Sequence, residues 1–263
     1  DDRGAGRVAG ALAADHHAGE RDRAGDLLDG HEIEARAHRG EPVVFAREAE
    51  VHEGARGVDA LRALCDVALE VAQHLPTALV AACEDAEVAQ LVQRTFSTSA
   101  FRVYTQRDVV GVELGGALKN VLAIACGISD GRGLGDSARA ALTTRGFAEL
   151  TRFAAKLGAK PETLMGLSGL GDLLLTCSSR QSRNYSFGHA LGEGKSVEQA
   201  LAQSRGVVEG ASTVKIAQAL ARRHGVDMPI VDAVHAIVDG GAAPDQEIAR
   251  LLSRPLGPEI RQG

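Results

Sequence analysis

A single lysine stands in an otherwise apolar stretch of this chain. In Gly111-Val-Glu-Leu-Gly-Gly-Ala-Leu-Lys119-Asn120-Val-Leu-Ala-Ile-Ala-Cys-Gly127 the only charged residues are Glu113 and Lys119. A helix with this composition is largely buried, and an ammonium inside it loses much of its hydration. Desolvation lowers a lysine pKa and suits the group to proton transfer. A lysine at a helix edge, its stem along apolar surface and its head in water, fits the same residues.

Three further elements carry residue types that could serve such a lysine. Gly166-Leu-Ser-Gly-Leu-Gly171 delivers Asp172 to the mouth of the apolar run Leu173-Leu-Leu-Thr176-Cys177. An aspartate there either caps a helix or pairs with a lysine and holds it. Ser182-Arg183-Asn184 offers a planar guanidinium fork for a phosphate, with a hydroxyl, an amide and a helix N-terminus as further donors. Val207-Val208-Glu209-Gly210 puts a carboxylate at a helix start, where favourable interaction with the helix dipole is its ordinary use. Taken singly, each element has a structural reading beside the functional one.

These residues must be positioned by the pattern around them. Pro76-Thr-Ala-Leu-Val-Ala-Ala-Cys83 predicts a short strand, Asp85 starts a helix running to about Arg94, and Ala100-Phe-Arg-Val-Tyr104 predicts a second strand: the last β-α-β piece of a parallel sheet. Beyond Asp108 the period is helical, with segments at roughly 108–128, 136–158, 161–166, 171–178, 183–192, 196–203, 209–224, 229–239 and 244–253. Gly158, Gly192 and Gly225 mark helix ends, and Pro161, Pro229 and Pro244 mark helix starts. The fold class that follows is mainly α, a helical domain over 107–263 preceded at 73–106 by a remnant of a parallel α/β sheet.

Residues 1–72 are unlike the rest. They contain no Ser, Thr, Asn, Gln, Lys, Met, Tyr or Trp, and hold 16 Asp/Glu against 9 Arg, a charge of −7 in a chain whose total is −6. Ordinary domains do not omit so many residue types. The expectation is an aberrant or non-homologous segment, either a wrong-frame reading or a fused piece, forming a poorly packed arm with stray helices. Gly4-Ala-Gly6-Arg-Val-Ala-Gly10 has the look of a dinucleotide turn, but only three residues precede it, too few for the strand that feeds such a turn. His16, His17, His31, His38 and His52 follow no helical or Cys/His ligand spacing, and no metal site is expected.

Composition narrows the function classes. The body of the chain is nearly neutral and poor in aromatics, which argues against nucleic-acid binding. No apolar run of about 20 residues is evident, so no membrane span is expected. Four cysteines, Cys65, Cys83, Cys126 and Cys177, form no C-x-x-C pair, which fits a reducing cytoplasm.

Together, G-V-E-L-G-G-A-L-K-N at 111–120, Thr144-Arg145-Gly146, G-L-G-D-L at 169–173, L-T-C at 175–177, S-R-N at 182–184 and V-E-G at 208–210 resemble the NAD(P)-dependent glycerol-3-phosphate dehydrogenases of the bacterial type, over residues 73–259. The resemblance implies a helical substrate domain of the 6-phosphogluconate-dehydrogenase C-terminal kind behind a Rossmann domain. It implies hydride transfer between NAD(P)H and dihydroxyacetone phosphate, giving glycerol 3-phosphate for phospholipid synthesis. Lys119 matches the general acid/base of that family, and Asn120 and Asp172 match polar groups that orient it and the substrate. Ser182, Arg183 and Asn184 match substrate-binding positions and Thr176 lies in the same pocket. Arg183, Val207 and Glu209 match positions that touch the dinucleotide. The family's opening strand, its G-A-G-S-W-G-like turn and a second active-site lysine have no counterpart that can be placed, and Leu64 and Asp66 stand where Gly and Ser are expected, so in-frame resemblance begins near Ala68. The expectation is an incomplete dehydrogenase with impaired activity, homodimeric as helical domains of this size often are. The alternative is a catalytically silent helical module for dimerisation or ligand binding.

Overall fold

The structure, a computed structural model, describes residues 43–44, 71, 73–204 and 206–256. The Gly4 turn, the five N-terminal histidines and the Leu64 to Ala68 segment lie outside the described residues. Of the segment expected as an arm with stray helices, the described residues are Val71, which is helical, and Val43–Val44, a two-residue strand, β1. Two adjacent β-branched residues favour that conformation.

Strands β2 (Thr77–Ala82) and β3 (Phe101–Gln106) pair in parallel from Thr77↔Phe101 to Ala82↔Gln106, joined by helix α1 (Ala86–Phe96). β1 adds an antiparallel edge through Val43↔Ala82 and Val44↔Ala81. Asp85 starts α1 as predicted, its carboxylate accepting from the Glu87 and Val88 amides at 2.8 and 3.3 Å. Phe101 and Val103 point inward against Ala81, Leu79, Val92 and Phe96, while Arg102 and Tyr104 alternate outward. The Gln93 amide donates to the Val103 carbonyl at 2.8 Å and fixes α1 on the strand.

The remaining elements are helical: α2 (Val109–Gly131), α3 (Asp136–Lys156), α4 (Pro161–Leu164), a π-helical turn (Leu167–Gly171), α5 (Asp172–Ser178), α6 (Arg183–Gly192), α7 (Val197–Ala202), α8 (Glu209–Arg223), α9 (Pro229–Val238) and α10 (Pro244–Leu252). All three prolines open helices as expected. The helix expected over 161–166 ends at Leu164, because Gly166 turns extended and the chain winds into the wider π turn. Gly158 and Gly225 terminate helices with φ of +90° and +65°, but after α6 that work falls to Gly194 (φ +92°). Gly192 has a packing role, described below.

The expectation that no run is long enough for a membrane span is corrected by α2. Its 23 residues are long and apolar enough to cross a bilayer, and 78% of its most apolar window is buried inside the protein. It is one continuous helix, with Leu118, Val121, Leu122, Ile124 and Cys126 buried along it.

The described residues fall into two compact units. The first takes the sheet, α1, the start of α2 to Gly116, and Ala154–Asp172. Within it Asp108 fixes two chain segments: Oδ1 accepts from the Gly111 amide at 3.0 Å, starting α2, and Oδ2 accepts from the Lys160 amide at 2.7 Å, just before α4. A groove of about 330 Å³ in this unit is lined by residues including Val80, Tyr104, Gln106, Glu162 and Ser168. Gly166, Leu167 and Ser168 of the turn before Asp172 also line it, no candidate site residue does, and its lining offers an anion no countercharge.

The second unit takes Ala117–Phe153 and the chain from Leu173 onward. Its organising contact is between α2 and α6, which run in the same direction. A Cβ on Gly127 would overlap the Tyr185 carbonyl, one on Gly188 the Ile124 carbonyl, and one on Gly192 would sit 2.5 Å from the Ile128 oxygen. Two Gly-x-x-x-Gly pairs, Gly127/Gly131 and Gly188/Gly192, thus let two backbones touch where side chains would hold them apart. Gly188→Ala should cost at least the 1–3 kcal/mol typical of an overpacked core, read as a lowered urea midpoint, because the obstacle is backbone and cannot rotate away. An unchanged midpoint would mean the seam is looser than described.

Candidate active site

The seam ends at two asparagines. Asn120 lies one turn before Ile124 on α2 and Asn184 one turn before Gly188 on α6, so the close approach of the helices brings their amides together. The Asn184 Nδ2 donates to the Asn120 Oδ1 at 3.1 Å, and the Asn184 Oδ1 accepts from the Gly210 amide at 2.8 Å, where α8 begins. Gly210 must be glycine: a Cβ there would stand 2.8 Å from the Asn120 carbonyl and 2.9 Å from the Asn184 Oδ1. Asn184 is wholly buried and Asn120 nearly so. Both amides would be costly there without these bonds.

Glu209, the first residue of α8, joins the same network. Its Oε2 accepts from the Asn120 Nδ2 at 3.0 Å, and its Oε1 lies 3.7 Å from the Arg183 Nη2. Arg183 and Glu209 are each about a quarter exposed, at 25% and 29%, so the pair sits at the rim of the network with its outer edges in solvent. Ser182 caps α6, its hydroxyl accepting from the Tyr185 amide at 3.3 Å. Val207 is half-buried just ahead of α8.

Lys119 precedes Asn120 and is 8% exposed, so most of its side chain is shielded from water. Thr176 is buried on α5. Asp172 opens that helix one turn earlier and is half-buried; it belongs to the first unit, and the other candidates to the second. Of the residues singled out, the structure therefore joins Asn120, Arg183, Asn184 and Glu209 by side-chain contacts, with Lys119 and Ser182 adjoining in the chain. Among the described residues no three metal-ligating side chains gather.

Several polar residues of this unit went unnoticed in the sequence. Glu149 of α3 is a buried carboxylate that accepts from the Ile230 amide at 3.1 and 3.0 Å, capping α9 from another helix. Asp130 lies beside Arg180 at 3.2 Å and bonds the Tyr185 hydroxyl; burial works against its charge, but those two donors hold its carboxyl below the usual range. No local spacing announces either, since the partners are far away in sequence. The glycine seam did leave a signal, the same four-residue glycine spacing in two separate segments.

Residues 108–249 match the family model for the C-terminus of NAD-dependent glycerol-3-phosphate dehydrogenase. The chain belongs to that family. A glycerol-3-phosphate dehydrogenase (NAD(P)+) of Parvibaculum lavamentivorans is 57% identical over 192 residues, 73% of this chain and 58% of that protein. One from Caulobacter vibrioides is 56% identical over 190 residues, 72% of this chain and 57% of that protein. The crystal structure of the glycerol-3-phosphate dehydrogenase of Coxiella burnetii superposes with a TM-score of 0.69 at 45% identity, covering 71% of this chain and 57% of that one. The expected family and the helical fold class with a remnant parallel sheet are thus shown, and the chain spans just over half the length of the relatives it matches.

Proposed function

We propose that this chain carries the substrate half of a cytoplasmic NAD(P)-dependent glycerol-3-phosphate dehydrogenase, acting on dihydroxyacetone phosphate and glycerol 3-phosphate. The observation that carries the reading is a buried lysine whose neighbour, Asn120, is held in a closed network with Asn184, Glu209 and Arg183. The parts match the reaction's needs. The phosphate needs a cation with a fixed direction, and Arg183, steadied by Glu209 and placed beside the N-terminus of α6 with Ser182, supplies it. The C2 oxygen needs a proton as its carbon is reduced, and Lys119 gives that proton from a water-poor position, with Asn120 beside it in the chain. The reverse reaction returns the proton to the same nitrogen. NAD(P)H, when bound, supplies the hydride. Arg183, Val207 and Glu209 are the residues of this chain that would touch it, and Arg183 fits as a cation open to solvent on its outer edge.

Residues 73–106 supply the last β-α-β unit of the cofactor domain in this reading, 107–263 the substrate and catalytic domain, which is expected to pair as a homodimer, and 1–72 a non-homologous segment. Consumption of NADPH with dihydroxyacetone phosphate tests the whole proposal. The second reading is a catalytically silent helical module that still binds the phosphorylated substrate. Calorimetric binding of glycerol 3-phosphate without NADPH loss selects it. Absence of both removes the site assignment.

Arg183→Lys should raise the KM, or the Kd for glycerol 3-phosphate, about tenfold, roughly 1.4 kcal/mol, because an ammonium cannot hold two phosphate oxygens and the Glu209 carboxylate in one plane. An unchanged constant would take phosphate recognition away from this residue.

A further inference from the structure

The turn between α7 and α8 lies against Arg183, and one of its residues acts through the side chain it lacks. Gly206 has a φ of +147°, in a range that residues with a side chain rarely adopt. A Cβ built there would stand 2.7 Å from the Arg183 Nη1, 3.6 Å from its Cδ and 3.8 Å from its Cζ. The first distance is well inside ordinary van der Waals contact, about 3.5 Å or more. The guanidinium therefore occupies the room a side chain at 206 would take, with Nη1 toward Gly206 and Nη2 3.7 Å from the Glu209 Oε1. Both ends of the turn are fixed by other groups than this guanidinium. The Ser204 amide donates to the Leu201 carbonyl at 3.0 Å and its hydroxyl to the Gly206 carbonyl at 2.9 Å, while the Gly210 amide donates to the Asn184 Oδ1 at 2.8 Å.

We propose, resting on the phosphate role given to Arg183 above, that Gly206 is a positioning residue that sets the direction of the Arg183 guanidinium. An arginine that swings freely meets a phosphate as little more than a point charge. One whose two terminal nitrogens lie against fixed neighbours presents its planar fork already oriented, and less ordering is left for the ligand to impose. Gly206 and Glu209 are those neighbours, three positions apart on one segment whose ends are held. An alanine at 206 acts twice in the same place. Its methyl group takes the room of Nη1, and its backbone is strained at a φ of +147°, so the turn moves off the guanidinium. The end of a long side chain gives way easily, so the loss falls on the direction of the fork and not on the fold.

The test is a double-mutant cycle on the full chain, read as the calorimetric Kd for glycerol 3-phosphate in the parent, Gly206→Ala, Arg183→Lys and the double variant. Gly206→Ala should weaken binding about fivefold, and weaken inorganic phosphate by the same factor, with a melting temperature within about 2 °C of the parent. In the Arg183→Lys background, itself about tenfold weaker, the alanine should add less than about twofold, because the fork that Gly206 directs is gone. An unchanged Kd in Gly206→Ala beside weaker binding in Arg183→Lys overturns the role of Gly206 and leaves the phosphate site standing. An unchanged Kd in Arg183→Lys, or no binding by the parent, overturns both. Factors that multiply to about fiftyfold in the double variant show that Gly206 acts through something other than Arg183 and overturn its role. An effect absent with inorganic phosphate, or a melting temperature that falls together with affinity, overturns it as well.

Discussion

Lys119→Ala, placed in a chimera that joins residues 73–263 to the complete N-terminal half of the Parvibaculum relative, should lower kcat for dihydroxyacetone phosphate reduction by about 10² to 10⁴. That is the usual contribution of a positioned general acid, or roughly 2.7–5.4 kcal/mol of barrier. In the proposed site, where Arg183 and Ser182 take the phosphate, the effect should fall on kcat with little change in KM. The fold should survive: removing a cation from a site that is 8% exposed also removes its desolvation cost, and the Asn120, Asn184 and Glu209 bonds do not pass through it. Helical circular dichroism checks the fold in the same samples. A kcat within threefold of the parent would end the assignment of Lys119 as proton donor. A matched loss of kcat and helicity would assign the residue to structure instead.

What the sequence disclosed and what it withheld divide along a physical line. Helix identity was legible because it depends on local chemistry. The prolines at 161, 229 and 244 and the capping Asp85 each act within a few residues of themselves, and the structure puts helix starts at those positions. The chemical residues were legible only as isolated elements, since Asn120, Asn184 and Glu209 lie 64 and 89 positions from their partners along the chain. Their meeting is set by the α2 to α6 seam. Gly192 shows the limit well: its neighbourhood does end a helix, but the left-handed residue is Gly194, and Gly192 is glycine because α2 passes against it. α2 shows the converse. Its 23 residues form one apolar helix, most of it buried, a length that no single motif within it announces.

Glu149 carries the largest expected effect on stability, and its sign is against the habit of carboxylates. The side chain is 3% exposed, and burial pushes its pKa up to about 7, more than the Ile230 and Val231 amides and Arg152 pull it down, with Asp227 adding to the rise. In the unfolded chain the same group titrates near 4.5. The folded state therefore binds this proton more tightly. Its stabilisation is complete below the unfolded pKa and is lost as pH rises through about 7. The rise from 4.5 to about 7 corresponds to about 3 kcal/mol. Urea unfolding of the chain should show stability falling from pH 5 to pH 8. The comparison that isolates the effect from every other titrating group is Glu149→Gln, whose amide oxygen can still accept from the Ile230 amide but cannot ionise. The variant should match the parent near pH 5 and exceed it by about 3 kcal/mol at pH 8. Equal stability of the two at pH 8 would mean that the α9 amides hold the charged carboxylate as well as water does, and that the buried site carries no proton at neutral pH.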